Sequence, residues 1–259
     1  MIEWLIDVFF IKQPRLRRFV TRMLYGNRLL SATLLGSTFH VHSVKENGYL
    51  RASKASARLS ALRDETPVLL SLANIISNNC AFVDIGANVG LYSIVFSRFK
   101  RIHEDFHVYA FEVHPDTFTR LEANAHLHGF SAMNVGVGER QERVQFVGGA
   151  VSHVTTRADI SNQYNIAQEV FAADIVPLAN IAFAQRDLII KIDVEGQEMA
   201  VLEGARMFFD EGRVKGVYID GYVDAKCWDF LESFGFDMRD GKTLEAAGRE
   251  TFSLLALRR

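Results

Sequence analysis

Three polar clusters in this chain each close an apolar run, and each holds residues able to bind or react. The first is Asp84-Ile85-Gly86-Ala87-Asn88-Val89-Gly90, after Ala81-Phe82-Val83. The second is Glu112-Val113-His114-Pro115-Asp116, after Val108 to Phe111. The third is Asp193-Val194-Glu195-Gly196-Gln197-Glu198, after Leu188 to Ile192 with Lys191 inside the run. In an open α/β sheet the ligand crevice lies beyond the carboxyl ends of the strands, where such clusters would meet.

The first cluster has the strand–glycine–helix order of a nucleotide site. Gly86 would let the chain turn tightly and leave room for a ligand, Ala87 follows it in the turn, and Gly90 would let the helix start pack closely. A dinucleotide fingerprint places glycine again at position 88, so that pyrophosphate can approach. Asn88 stands there, which favours a ligand without pyrophosphate, such as S-adenosylmethionine. Asp84 could then accept a hydrogen bond from the cationic amino acid tail, directly or through water. Glu112, at the tip of the next strand, could hold both ribose hydroxyls as a two-acceptor group. His114 reads equally as helix entry or substrate contact.

Asp193 and Glu195 alternate along an extended chain and would project on one side, with Lys191 in step to pair with either. Two such carboxylates could neutralise a sulfonium, orient a substrate hydroxyl, or hold a divalent ion. A metal is compatible with them but not implied. An ion-paired helix start is the plainer alternative. Asp193, Glu195 and Lys191 are thus the candidate catalytic residues. A base at Asp193 or Glu195 competes with one at His153.

These clusters need a frame. Helical patterns over 91–99, 115–128, 197–209 and 225–234 alternate with the runs named above and with Val217 to Ile219. That order predicts a mainly parallel sheet with helices on both faces. Phe252 to Leu257 reads as an antiparallel strand at the end of the sheet. The polar stretch from Ala150 to Ile181, with His153, Thr155, Thr156, Arg157, Asn162, Gln163 and Tyr164, reads as a substrate lid.

The residues together resemble the FkbM family of S-adenosylmethionine-dependent methyltransferases. The match is carried by Asp84–Gly90 with Tyr92-Ser93, by Phe111-Glu112 with Pro115, and by Lys191 to Gly196 followed by Val201-Leu202-Glu203-Gly204-Ala205. The resemblance spans about residues 65–257. It implies a Rossmann-like class I fold whose seven-stranded sheet has a reversed last strand, S-adenosylmethionine as cofactor, and O-methylation of a hydroxyl, often on a sugar, polyketide or other secondary metabolite. It also implies that Asn134-Val135 begins the strand on the adenine side and that a glutamate-containing strand end follows Ile219, where this chain departs with Asp220, the acid in a shorter form. Asp193 is read as serving the cofactor as well as the acceptor. An NAD(P)-dependent oxidoreductase is the alternative, opposed by Asn88 and the lack of a Tyr-x-x-x-Lys pair. A non-catalytic membrane adaptor retaining the fold is another.

Bulk properties narrow the setting. The 259 residues are 49% hydrophobic, with four prolines, so disorder is excluded. Two cysteines, Cys80 and Cys227, suit a reducing cytoplasmic compartment and core positions rather than a disulfide. The net charge of −2 divides unevenly, with +5 over residues 1–45 and −7 over the rest. Residues 1–30 read as two helical pieces broken near Pro14. They are suited either to peripheral membrane contact or to capping the main domain or a second subunit, and a homo-oligomer is compatible with that. The apolar run Ile2–Ile11 has acids before its basic flank, unlike a secretory signal. The expected division is an extension over 1–63 and a methyltransferase domain over 64–259. Within the extension, Thr38 to Val44 reads as a strand and Asn47-Gly48 as its hairpin turn. The acidic body disfavours nucleic acid and leaves a small molecule, carbohydrate or glycolipid as acceptor.

Overall fold

A computed structural model describes residues 13–55, 65–148, 154–155, 169–221 and 224–258. The chain divides into two compact units, Met1–Thr66 and Pro67–Arg259.

In the first unit, helix α1 (Pro14–Tyr25) begins on a proline whose missing N–H costs nothing there. Strands β1 (Leu29–Leu34) and β2 (Ser37–His42) follow as an antiparallel hairpin, and then helix α2 (Asn47–Lys54). The hairpin turn is Leu35-Gly36, both at positive φ, and not Asn47-Gly48. Asn47-Gly48 instead opens α2. The Asn47 amide donates to the Val44 carbonyl at 2.8 Å and accepts from Arg51 one helical turn on. Those local bonds hold the pair in a helix start. The expected strand is β2. Residues 1–12, with the expected first helical piece and apolar run, lie outside the described residues.

In the second unit, helix α3 (Thr66–Asn74) leads into β3 (Cys80–Ile85), α4 (Leu91–Ser97), β4 (His107–Phe111), α5 (Pro115–His128) and β5 (Ser131–Met133). A second run contains β10 (Asp187–Ile192), α6 (Glu198–Gly204), α7 (Arg206–Asp210), β11 (Val214–Ile219), α8 (Ala225–Ser233), β12 (Phe236–Asp240) and β13 (Leu254–Arg258). The seven-stranded sheet has the order β12-β13-β11-β10-β3-β4-β5. β13 runs antiparallel to both its neighbours, β11 and β12, and the other pairings are parallel. It sits between β11 and β12 rather than at the sheet's end, because β12 forms the edge. The expected helix over 197–209 is two helices, α6 and α7, joined at Ala205.

Strand alternation builds the two faces. Ala81, Val83 and Ile85 of β3 join Ile190 and Ile192 of β10 in one core with Val201, Leu202, Phe208, Phe209 and Leu231. Phe82, on the opposite face, packs on Phe96 of α4 with ring centroids 4.1 Å apart. Cys80 and Cys227 are free, buried thiols, each pushed up to about 12 by desolvation. They behave as core residues.

Between β5 and β10 lies a separate four-stranded sheet, ordered β6-β9-β7-β8. Its strands are β6 (Gly136–Val137), β7 (Glu142–Gly148), β8 (Val154–Thr155) and β9 (Glu169–Val176). The stretch expected to be a lid therefore contains a regular strand, β9, and Thr155 lies in β8. His153, Thr156, Arg157, Asn162, Gln163 and Tyr164 lie outside the described residues. Phe146 and Phe171 stack in this sheet at 5.5 Å, and Phe171 meets the His114 ring edge-on at 4.8 Å. The small sheet thus abuts the carboxyl end of β4.

The Leu202-Glu203-Gly204-Ala205 run has a packing reason. Any Cβ on Gly204 would collide with the backbone carbonyl of Gly138, just past β6. Glycine here lets α6 press directly on that backbone.

Candidate active site

The chain runs outward from β3 to β5 on one side and from β10 to β11 on the other. The switch point is therefore the gap between the ends of β3 and β10, where the fold predicts a ligand crevice. Parallel register pairs Lys191 with Asp84 and Ile192 with Ile85, which brings the first and third clusters together.

Asp84 is fully buried. Its Oδ2 accepts from the Ser93 backbone N–H at 3.1 Å and from the Ser93 hydroxyl at 2.7 Å. Its Oδ1 lies 3.3 Å from Lys191 Nζ. Oδ2 is taken up by Ser93, whereas Oδ1 has the Lys191 ammonium beside it and no hydrogen-bond partner among the described residues, so Asp84 holds both the loop and Lys191.

Lys191 is the hub of the site. Its ammonium donates to the Gly86 carbonyl at 2.9 Å and to Asp193 Oδ2 at 3.3 Å, and lies 5.5 Å from the centre of the Tyr92 ring. Burial alone would disfavour its charge, but Asp84, Asp193 and Asp220 outweigh it and hold the ammonium above the usual lysine range.

The glycine loop is shaped by what lies beside it. Gly86 has φ +72°, and a Cβ there would strike the Asp193 carbonyl oxygen. The tight turn is as expected, but the space beside Gly86 is filled by the Asp193 backbone and not left for a ligand. Gly86 and buried Ala87 both donate backbone N–H bonds to the Phe111 carbonyl, at 3.0 and 2.9 Å. Asn88 sits at φ +54° in the left-handed region, which asparagine tolerates. It keeps the backbone form of a glycine while adding a side chain where pyrophosphate would approach. Gly90 starts α4 in close contact with Leu121.

Glu112 stands at the end of β4 with its carboxylate fixed by two backbone donors. Asn88 N–H reaches Oε2 at 2.9 Å and His114 N–H reaches Oε1 at 2.8 Å. Burial pushes its pKa up to about 7, against the pull of those two bonds. Each oxygen keeps a second lone pair for another donor.

Asn134 lies just past β5, not at the start of a strand as expected. Its amide donates to the Glu112 carbonyl at 2.7 Å and the Val113 carbonyl at 3.2 Å. Val135 turns partly into the main core. Both residues occupy the connection from β5 to β6, beside the end of β4.

The third cluster leaves the sheet at once. β10 ends at Ile192, and Glu195-Gly196 form a turn, so Asp193 and Glu195 stand on a bend rather than an extended strand. The Asp193 side chain is 46% exposed. Surrounding protein raises its pKa, Lys191 opposes the shift, and Asp220 and Glu195 push it up again. Water on the open side softens that effect. Asp220, at the end of β11, donates its backbone N–H to the Ile192 carbonyl at 2.9 Å. One acid was not singled out from the sequence. Glu198 is buried at the start of α6, accepts from the Gly196 N–H at 3.0 Å, and is held above the usual carboxylate range by that burial. Its signal was an acid in the first helical turn after a glycine bend. Among the described residues, no group of three or more His, Cys, Asp or Glu side chains is arranged to hold a metal ion.

The glycine loop, the acid at the end of β4 and the Lys191–Asp193 pair are thus gathered at one switch point. A family model, the methyltransferase FkbM domain, matches residues 84–238, which cover all three clusters. The chain belongs to the FkbM methyltransferase family. A hexuronic acid methyltransferase, AglP of Haloferax volcanii, is 25% identical over 176 residues, covering 65% of this chain and 68% of that one. The crystal structure of methyltransferase FkbM from Methylobacillus flagellatus aligns with 17% identity and a TM-score of 0.47, over 71% of this chain and 45% of that one. The tRNA (uracil-54, C5)-methyltransferase of Pyrococcus abyssi, solved with S-adenosyl-L-homocysteine, aligns with 8% identity and a TM-score of 0.44, over 90% of this chain and 44% of that one. The chain thus spans less than half the length of these two solved relatives.

Proposed function

We propose that this enzyme transfers a methyl group from S-adenosylmethionine to a hydroxyl of a sugar, glycolipid or related secondary metabolite. The observation that carries this reading is the Lys191 ammonium. It ties the glycine loop at Gly86 to Asp193 across the switch point, so a donor cradle and an acceptor-side carboxylate share one anchor.

The residues fit that cofactor. Glu112 presents two fixed oxygens with acceptor capacity left for a ribose diol. Asn134 and Val135, beside it, would flank the adenine. Asn88 fills the place where pyrophosphate would need glycine. When bound, S-adenosylmethionine supplies an electrophilic methyl on a sulfonium. The protein's contribution is then mostly alignment, which can supply about 7–11 kcal/mol when donor and acceptor are held in line.

Asp193 is the proposed base. It faces the open side, and its raised pKa makes it a better proton acceptor than an ordinary carboxylate. Lys191 holds the carboxylate in place, and Glu195 on the same bend orients the acceptor hydroxyl. The acids Asp193, Glu195 and Asp220 make this side negative, which suits a neutral hydroxyl better than an acceptor carboxylate. The AglP relationship supports a carbohydrate acceptor, and the acidic side supports its hydroxyl.

Two measurements test this. Calorimetric titration should show heat with S-adenosylmethionine and none with NAD. The reverse would end the reading in favour of an oxidoreductase, and no heat with either would favour an adaptor. With methyl-labelled cofactor and a panel of hexoses, hexuronic acids and glycolipids, the label should enter an alkali-stable ether. Label only in an alkali-labile ester would overturn the hydroxyl assignment.

A further inference from the structure

Helix α1 carries a surface that the methyl-transfer chemistry does not use. Apolar side chains at 3–4 spacing along it face water: Leu16 is 45%, Phe19 62%, Met23 72% and Leu24 69% exposed. Four such residues on a single 12-residue helix are far more than scattered surface apolarity. Exposed Arg15 and Arg22 border one edge of this face, and partly buried Arg17, whose Nε is shielded from water, borders the other. No acid lies anywhere in α1, and residues 1–45 together carry +5.

We propose that α1 docks in the plane of an anionic lipid bilayer. Its apolar side chains would enter the headgroup boundary, and its arginines would meet lipid phosphates. An apolar stripe beside an exposed basic edge is the pattern of helices that lie in a membrane interface. Among the described residues no helix is long and apolar enough to cross a membrane, so the contact is one of lying on the surface. Charge complementarity selects the partner. A second copy packing its α1 against this one would bring its own arginines against these and be repelled. A neutral bilayer would leave the arginines without counter-charge.

The experiment is vesicle flotation of the full chain. Vesicles of phosphatidylcholine alone are compared with vesicles containing one-third phosphatidylglycerol, at low and high salt. The wild type should float with the anionic vesicles, less so at high salt, and not with neutral ones. Phe19→Ser and Met23→Ser should each weaken partition on the order of tenfold, as expected for removing one large apolar group. Arg15→Glu with Arg22→Glu should weaken it at least about 20-fold, from about fivefold per arginine charge removed. These side chains are exposed, so the variants should keep the wild-type melting curve, which separates lost docking from lost folding. Equal flotation of wild type and all variants would overturn the proposal, as would failure of the wild type to float. If Phe19→Ser instead converts a dimer to a monomer in light scattering without changing flotation, the face pairs copies and the proposal fails. If flotation appears only after residues 1–12 are removed, the chain itself covers the face and the proposal likewise fails.

Discussion

The ends of β3, β4 and β5 differ in kind from the ends of β10 and β11. On the first side, the polar groups are fixed by backbone. Glu112 is held by two N–H groups, Asn134 by two carbonyls, and Gly86 and Ala87 share the Phe111 carbonyl. Most of this side is buried and closes on itself through hydrogen bonds at fixed distances. On the second side, the groups are carboxylates on bends. Asp193 is half open to solvent, and its charge is balanced against Lys191, Asp220 and Glu195 rather than locked by the main chain. On the proposed reading the first side binds the same cofactor every time, which suits a rigid backbone cradle. The second would admit an acceptor and take its proton, which suits adjustable charge. Lys191 belongs to both sides, and substitutions there test the comparison most severely.

Lys191→Met leaves Asp84 buried beside Ser93 without its cation. Removing one partner of a buried pair costs about 3–5 kcal/mol, so the variant should melt at clearly lower denaturant and lose cofactor binding as well as turnover. A variant that melts like wild type but lacks activity would show that the lysine serves the reaction alone. Asp193→Asn should do the reverse. Its exposed side chain contributes little to stability, so the melting curve should hardly move. The rate constant for turnover should fall about 10²–10⁴-fold if this carboxylate takes the proton, with cofactor affinity nearly kept. An unchanged rate would move the base elsewhere, and His153 would be examined next.

Glu112 gives the comparison a pH signature. Its pKa is raised to about 7 from an ordinary 4.5, chiefly by burial. The folded protein therefore binds this proton more tightly than the unfolded chain. Its contribution to stability is full below about pH 4.5 and is lost as pH rises through about 7. Ribose hydroxyls donate to the ionised form, so cofactor affinity should rise over the same interval. Opposite slopes of stability and affinity between pH 5 and 8 are the expected outcome, measured by denaturant melts and calorimetry. Glu112→Gln should flatten both and weaken cofactor binding by about 10- to 100-fold, the cost of a lost charged hydrogen bond. Parallel slopes would mean that Glu112 does not meet the ribose.

Much of this architecture was legible because buried parallel strands are continuous apolar runs. Ala81 to Val83, Val108 to Phe111, Leu188 to Ile192 and Val217 to Ile219 all lie within β3, β4, β10 and β11. What escaped was short or half-polar. β5 has three residues, none fully buried, and β12 carries Asp237, Arg239 and Asp240 because it is an edge. The strands β7 and β9 were missed because they build a sheet of their own, β9 inside the stretch expected to be a lid and β7 just before it. Asn47-Gly48 misled because its dihedral tolerance serves a helix start as readily as a hairpin, whereas the true turn uses Leu35 in a conformation leucine rarely adopts. At the site, the sequence placed Lys191 beside Asp193 but not beside Asp84, a residue 107 positions away. That neighbour follows from the register of β10 on β3, which periodicity along one strand does not contain.

The smallest effect is the most discriminating for the backbone side. Asn134 makes its two hydrogen bonds to the carbonyls of Glu112 and Val113, not to any titratable atom. If the first side works through main-chain geometry, Asn134→Ala should cost about 1 kcal/mol, a typical net value for such bonds. That should appear as roughly fivefold weaker cofactor binding with the pH slope of Glu112 unchanged, because the carboxylate keeps its two N–H donors. Asn134→Asp tests the same point with charge. It preserves size but replaces the amide donor with an acceptor facing two carbonyls and sets a second acid near Glu112, so it should weaken binding more than alanine does and push the Glu112 transition to higher pH. If alanine and aspartate behaved alike, Asn134 would be a spacer, and the rigidity of this side would have to come from the turn at Gly86 alone.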